Sequence, residues 1–255
     1  MRVATNVWYL TVRALKVSIR VPWALIPNFA ISLFFLLVYN GGLSGIAALP
    51  QFAGSHYIDF ILPVAVVSGA VGGAGQALVR DIETGYLTKM ALTPVSRLAL
   101  VLAPMLAGMV QLVAQTLVIL LVSFTMGLTI PTGFGGFLAI LAFTAGWGLA
   151  FSGYAVAIAL KTRNGQASQA ATFIFFPLLF LSDTFVPMSL IRAHWMRIAV
   201  HINPTTYVFN AMRALLSPSV SMPAIWHGII AIVAAVAVTL TWALTSTRKS
   251  LAARG

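Results

Sequence analysis

The sequence has 255 residues, of which 60% are hydrophobic and only 7% are charged, and its mean hydropathy is +0.98. Soluble domains carry about 25% charged residues, so the composition excludes a water-soluble enzyme and predicts an all-α integral membrane protein. The absence of cysteine excludes disulfides and thiolate sites. A net charge of +11 does not indicate a nucleic-acid partner, because the basic residues are scattered at the ends of apolar segments.

Residues 5–22 predict an amphipathic helix that lies in the membrane interface. Polar positions recur at steps of three and four, and apolar side chains fill the opposite face, as in a helix with one lipid-facing side. The polar set is Asn6, Tyr9, Arg13, Lys16 and Arg20, and the apolar set is Trp8, Val12, Leu15 and Ile19. No small-residue cleavage site precedes the next apolar run, so we expect this segment to be retained.

Six apolar segments follow that are long enough to cross a bilayer as helices, which takes about 20 residues each. They cover residues 23–43, 58–79, 98–126, 137–160, 168–187 and 223–244. The second contains small residues three and four apart, which favours close helix packing in lipid. Gln111, Gln115 and Thr116 in the third segment are expected to bridge helices.

The basic residues give the orientation, because cytoplasmic loops of membrane proteins are rich in Lys and Arg. With the N-terminus inside, twelve of the fifteen basic residues are cytoplasmic, and the three outside are Arg192, Arg197 and Arg213. Six spans then place both termini in the cytoplasm.

The loop between the second and third spans is predicted to contain a cytoplasmic helix over residues 81–96. Asp81 and Glu83 stand at its start and Lys89 near its end, the order that suits a helix dipole. An ordinary solvated loop is an equally good interpretation of the same composition.

Residues 188–222, before the last span, are apolar but interrupted by Pro and charge. They predict two short helices, over about residues 190–200 and 205–216, that enter the outer leaflet and return. A surface loop is the alternative. A re-entrant pair of this kind would line or plug an exit route.

No set of residues indicates a catalytic or metal site in this chain. No lysine follows a glycine, so there is no phosphate-binding loop, and any ATP hydrolysis belongs to another protein. Asp59 and Asp183 are interpreted as interfacial solvated or capping acids. His194 and His201 share a helix face, but no third ligand accompanies them, so no metal is expected.

Two motifs together resemble the ABC-2 type transporter permeases, in particular the daunorubicin-resistance group of bacterial drug exporters. The first motif runs from Asp81 to Leu87 and continues with Thr93 to Arg97, in the loop after span two. The second comprises Phe185 to Pro187, Trp195, Asn203 to Tyr207 and Arg213, before the last span. The Leu-Pro usual before that Trp is Leu190-Ile191 here.

The resemblance implies a pathway formed by two permease subunits, either identical copies or paralogues, and driven by two cytoplasmic ATPase subunits that bind ATP and Mg. This chain itself would hold no cofactor. The loop after span two would be a coupling helix that contacts the ATPase through Asp81, Glu83, Thr84, Gly85, Tyr86, Thr93 and Pro94. The re-entrant pair would gate the exit through Phe185, Pro187, Trp195, Asn203, Pro204, Tyr207 and Arg213.

The expected location is the bacterial inner membrane, among its lipids, and the expected cargo is a hydrophobic or amphipathic drug or lipid. A lipid- or glycan-exporting permease, a proton-coupled secondary drug carrier and a non-transporting scaffold are the alternatives that the sequence leaves open.

Overall fold

The computed structural model describes residues 2–20, 23, 26–43, 45, 57–70, 74–86, 90, 95–183, 188 and 191–252. Within these ranges the chain is helical and contains no β-strand. The all-α prediction is therefore confirmed for the described part of the chain.

Among the described residues, three helices are long and apolar enough to cross a membrane. They are α6 (Arg97–Thr125), α7 (Gly133–Thr162) and α12 (Met222–Ala252). At 1.5 Å per residue each is about 45 Å long, which exceeds a hydrocarbon core of about 30 Å. They coincide with the predicted spans 98–126, 137–160 and 223–244, because long uninterrupted apolar runs leave little choice of structure.

The predicted span 23–43 is a shorter helical stretch with an irregular middle. It begins as α2 (Ile26–Phe34), passes through a π-helical turn (Phe35–Tyr39) and ends as α3 (Asn40–Leu43). Residues 24–25 lie outside the described part of the chain. Such π-turns interrupt the regular ladder of helical hydrogen bonds, often near functional positions.

The predicted span 58–79 is interrupted. Helix α4 (Tyr57–Ser68) ends in a turn at Gly69, and α5 (Ala74–Glu83) resumes beyond residues 71–73, which are not described. A Cβ on Gly69 would overlap the side-chain amide of Gln115 from α6. Gly69, one of the small residues that predicted close helix packing, thus leaves room for the Gln115 side chain at the end of α4.

The predicted span 168–187 is also divided, into α8 (Gly165–Thr172) and α9 (Phe175–Phe180). Pro177 explains the break, because it has no N–H to donate to the carbonyl of Phe173. That carbonyl accepts from Phe176 N instead, at 3.0 Å. Residues 184–187, the predicted end of this span, lie outside the described ranges.

Helix α7 is the centre of the bundle and packs against α6 and α12. Its glycines permit the close approach: a Cβ on Gly148 would lie 3.1 Å from Met109 Cα, and one on Gly153 would meet Thr239 and Met105. Small residues at such contacts let helices pack by van der Waals attraction where lipid offers no hydrophobic driving force.

The segment 188–222 contains two short helices, α10 (His194–Ile202) and α11 (Pro204–Leu216). Helix α11 packs against α12, where a Cβ on Gly228 would touch Ala211 and Phe143. Entry of this pair into the outer leaflet stays a prediction, as do the six-span topology and the orientation of the chain.

Candidate functional site

The first candidate site joins the N-terminal helix to the end of α5. Helix α1 (Arg2–Arg20) presents Arg13, whose Nη1 and Nη2 donate to Oδ2 and Oδ1 of Asp81, both at 2.8 Å. The guanidinium also lies over the Tyr86 ring, 3.7 Å from its centroid. The hydrogen bond to the Asp81 carboxylate raises the pKa of Arg13, so the guanidinium is held in its charged form. We call these three residues the inner clamp.

Helix α1 is fixed to α6 as well. Thr11 Oγ1 donates to the carbonyl of Ala103 at 3.3 Å, and Gln111 Nε2 donates to Ser18 Oγ at 2.8 Å. The opposite side of α1 exposes Trp8 and most of Ile19. The helix therefore connects α5 to α6 through polar contacts and leaves some apolar side chains largely exposed, as expected of a helix at a lipid interface.

The chain turns sharply directly after α5. Thr84 N donates to Arg80 O at 2.9 Å, Gly85 N donates to Ile82 O at 3.1 Å, and Gly85 has φ +70°, a conformation that glycine adopts without strain. Asp81 and Glu83 thus belong to the last turn of α5, where the sequence predicted the first turn of a helix over 81–96. Residues 87–89 and 91–94, including Thr93 and Pro94, are outside the described ranges.

The position of these acids has an electrostatic consequence. Carboxylates near a helix C-terminus oppose the helix dipole. Asp81 is compensated by Arg13 in the inner clamp, but Glu83 is exposed. The sequence predicted Asp81 and Tyr86 as site residues and placed Arg13 only on the polar face of the N-terminal helix. No spacing rule connects Arg13 to Asp81, because the two are 68 positions apart.

Glu83 lies beside the start of α8. A Cβ on Gly165 would sit 3.8 Å from Glu83 Oε1. Together with Arg80, Gln166 and Gln169 these residues line an open hollow of about 510 Å³. The exposed turn after α5 and the start of α8 therefore form one continuous surface, which we call the turn surface.

The second candidate site lies at the start of α11. Asn203 caps this helix: its Oδ1 accepts from Thr205 N at 3.0 Å, and Pro204 occupies the first helical position. Asn203 Nδ2 donates to the carbonyls of Leu178 and Leu181, the latter at 2.9 Å. One side chain thus starts α11 and fastens it to the end of α9.

Arg213, near the end of α11, is buried in an ion pair. Its Nη1 lies 3.3 Å from Asp183 Oδ1, and the two side chains are 14% and 9% exposed. Its Nε donates to Phe60 O at 3.1 Å, and the guanidinium lies 3.7 Å from the centroid of the Phe60 ring. We call these three residues the outer clamp. Interpreting Asp183 as a solvated acid is wrong, because its side chain is buried and paired with Arg213.

The other predicted gate residues do not gather around this clamp. Tyr207 OH donates to His201 O at 2.6 Å, which ties α10 to α11. Trp195 is 64% exposed. Phe185 and Pro187 lie outside the described ranges. Pro204, Tyr207 and Arg213 belong to α11 and Asn203 caps it, but they are spread along the helix, and Trp195 lies on the surface of α10.

The comparisons with known proteins point in one direction. The sequence model of the ABC-2 type transporter family matches residues 5–217. The chain is also 24% identical, over 224 residues, to a protein named "Probable doxorubicin resistance ABC transporter permease protein DrrC" in Mycobacterium tuberculosis, strains CDC 1551 / Oshkosh and H37Rv. The alignment covers 84% of this chain and 80% of that protein.

Proposed function

Because this chain belongs to the ABC-2 type transporter family, we propose that it is the membrane-spanning permease subunit of a bacterial ATP-driven exporter that moves hydrophobic or amphipathic drugs out of the cell. The match to a relative named for doxorubicin resistance supports a drug as cargo. The lack of a phosphate-binding loop in the sequence supports ATP hydrolysis, with its Mg, on separate subunits.

The observation that carries the proposal is the inner clamp beside the exposed turn surface. A partner that pushes on Glu83, Thr84 or Gly85 pushes on the C-terminus of α5. Asp81 lies in that same helical turn and holds Arg13 by two hydrogen bonds of 2.8 Å. The push is therefore delivered to α1 as well as to α5.

From α1 the path continues into the membrane helices. Thr11 and Ser18 connect α1 to α6, and α6 packs on the glycine face of α7. Coupling over such distances needs a contiguous set of packed and hydrogen-bonded groups, and this set is contiguous from the turn to the centre of the bundle. We infer that the turn surface docks the ATPase and that α1 works as a lever in the interface.

The assembly that follows contains two permeases, as identical copies or paralogues, and two ATPases. In this proposal the chain crosses the bacterial inner membrane six times with both termini in the cytoplasm. The clamps then lie at opposite faces of the membrane, and α10 and α11 form the outer gate, with Asn203 and Arg213 fixing α11 to α9 and α4.

The test is reconstitution of the chain with its ATPase in lipid vesicles, with ATP turnover measured as doxorubicin is added. We expect Glu83→Ala to lower the drug-stimulated part of the turnover by about fivefold or more, in the range of ordinary coupling energies. Gly85→Pro, which cannot adopt φ +70°, should do the same. Arg192→Ala is the control, because Arg192 is also exposed and charged but lies before α10.

If Glu83→Ala and Gly85→Pro both retain normal stimulation while the complex stays assembled, the turn surface does not transmit the ATPase cycle. If Arg192→Ala loses as much drug-stimulated ATP turnover as Glu83→Ala, the loss of a surface charge in general, and not of the turn surface, explains the effect. Vesicle insertion of each variant is checked by protease accessibility.

A further inference from the structure

A cavity of about 240 Å³ lies within this one subunit, between α1, α2, the end of α4, α6 and α7. Gly69, Gly108 and Gly148 are among the residues that line it, so part of its wall is helix backbone. Its apolar walls include Leu15, Phe29 and Leu112. The cavity is separate from the turn surface and from both clamps.

Polar groups with unused hydrogen-bonding capacity face this cavity. Gln115 is 4% exposed, and its Nε2 donates to Asn28 O at 3.1 Å and to Ser32 Oγ at 2.7 Å. Its Oε1 has no partner in the part of the chain that the structure describes. Ser152, only 7% exposed, lines the opposite wall, and its hydroxyl has no partner among the described residues either. Buried polar groups are normally paired with protein or water, so these two can form hydrogen bonds to a molecule that enters the cavity.

The chemistry of the lining is neutral. Its polar side chains are amides and hydroxyls, of Asn28, Gln111, Gln115, Ser18 and Ser152, and none of the described residues that line the cavity is charged. Asp81 and Asp183 are both committed to the clamps. A charged group placed here would lose its hydration without gaining a counter-ion, whereas an uncharged donor or acceptor would find partners.

The cavity opens between α1 and α6. Val110 and Ala114 on α6 and Ile19 on α1 line its mouth and are exposed. Because α1 lies in the interface, this mouth faces the inner leaflet in the proposed orientation. An amphiphile dissolved in that leaflet would reach it by passing beneath α1.

We propose that this cavity is a cargo site within each permease subunit and that it takes the uncharged, hydrogen-bonding end of an amphiphile from the inner leaflet. The volume corresponds to about eight water molecules at 30 Å³ each. It therefore accommodates a ring or a short chain segment, and the rest of a larger molecule extends through the mouth. The word cargo rests on the proposed export function, but binding at the site does not.

The test uses three photoactivatable probes with the same ten-carbon chain and diazirine, ending in a primary amide, an ammonium or a carboxylate. The purified chain in lipid nanodiscs, without ATPase, is irradiated and labelled peptides are mapped by mass spectrometry. We expect saturable labelling of α6 and α7 by the amide probe, at least fivefold above the two charged probes. Equal or stronger labelling by the ammonium probe overturns the proposal.

Two variants locate the labelling. Ala114→Trp places a large side chain on the exposed mouth without disturbing packing, and we expect it to lower the labelling at least fivefold. Val118→Trp, one turn further along the same exposed face but outside the lining, is the matched control and should label normally. Ser152→Ala should raise the probe concentration needed for half-maximal labelling by several fold. Unchanged labelling in Ala114→Trp places the probe elsewhere and refutes the site.

A last arm separates cargo from a resident lipid. With the ATPase and ATP present, steady-state labelling by the amide probe should fall at least twofold, while a non-hydrolysable nucleotide leaves it unchanged. Constant labelling during ATP turnover identifies a resident lipid and overturns the assignment to cargo. Failure of ATP-driven transport with intact labelling would instead refute the proposed function and leave the site in place.

Discussion

The outer clamp gives the sharpest quantitative prediction, because its ion pair is buried, whereas the similar ion pair of the inner clamp is partly exposed. Asp183→Asn keeps the size of the side chain and removes its charge. Arg213 would retain hydrogen bonds to the carbonyls of Phe60, at 3.1 Å, and of residue 183, at 3.2 Å, but its positive charge would have no counter-ion in this pair.

Breaking a buried ion pair on one side costs about 3–5 kcal/mol. We expect about 3 kcal/mol for Asp183→Asn, the lower end of that range, because the two carbonyl acceptors remain. Each kcal/mol lowers the melting temperature of a protein of this size by about 2–4 °C, so the expected fall is about 6–12 °C.

Asp81→Asn is the matched comparison. It breaks the same Asp–Arg–aromatic arrangement in the inner clamp, where Arg13 and Asp81 are 34% and 26% exposed. Solvent screens such a pair, so the expected loss is about 1 kcal/mol or less. That corresponds to a fall of about 2–4 °C at most.

The assay is thermal unfolding of both variants in the same detergent, followed by tryptophan fluorescence. A double variant, Asp183→Leu with Arg213→Met, should melt close to the parent, since buried pairs replaced by apolar residues are often neutral. Equal falls for Asp183→Asn and Asp81→Asn would refute the argument that burial governs the cost. So would a double variant that melts as low as Asp183→Asn.

Three further predictions follow from single contacts. Asn203→Ala removes the cap of α11 and its bonds to α9, and should cost about 1–2 kcal/mol in the same melting assay; a loss below about 0.5 kcal/mol would deny the cap a structural role. Gly69→Ala displaces the Gln115 amide and should cost about 1–3 kcal/mol, whereas Gly41→Ala, which has open space around it, should change stability little. Arg13→Asp should abolish the stimulation of ATP turnover by the drug, and adding Asp81→Arg should restore it. If the double variant is still not stimulated, the Arg13–Asp81 pair does not transmit the motion.

The long helices were predictable because a bilayer imposes one structure on a long apolar run. Helices α6 and α12 each start one residue before the predicted starts at 98 and 223. The breaks were not predictable from hydropathy, because it does not distinguish a continuous helix from two halves. Pro177 is the local sequence feature that accompanies the break between α8 and α9, and hydropathy does not register it.

The clamps lay beyond the reach of sequence reasoning for a different reason. Arg213 and Asp183 are 30 positions apart, and no local period connects them. The small number of acidic residues was a usable signal, because the sequence has only four. An acid in an apolar segment needs a partner of opposite charge, and the arginines without an assigned role were the candidates. The same argument would have suggested Arg13 for Asp81.

The cavity illustrates a third limit. The prediction that Gln115 bridges helices agrees with its bonds to α2, but only the three-dimensional arrangement shows that its Oε1 remains available. Whether a buried side chain keeps an unused hydrogen-bond donor or acceptor depends on all of its neighbours. The sequence contains no direct signal for this.

The central claim is that a separate ATPase drives drug export through this chain. The most direct measurement is drug accumulation in inside-out vesicles that contain both proteins, with the proton gradient collapsed by an uncoupler. We predict that accumulation continues with ATP under these conditions and stops when the phosphate-binding lysine of the ATPase is replaced. Accumulation that needs no ATP and ceases when the uncoupler is added would contradict the account and indicate a proton-coupled carrier.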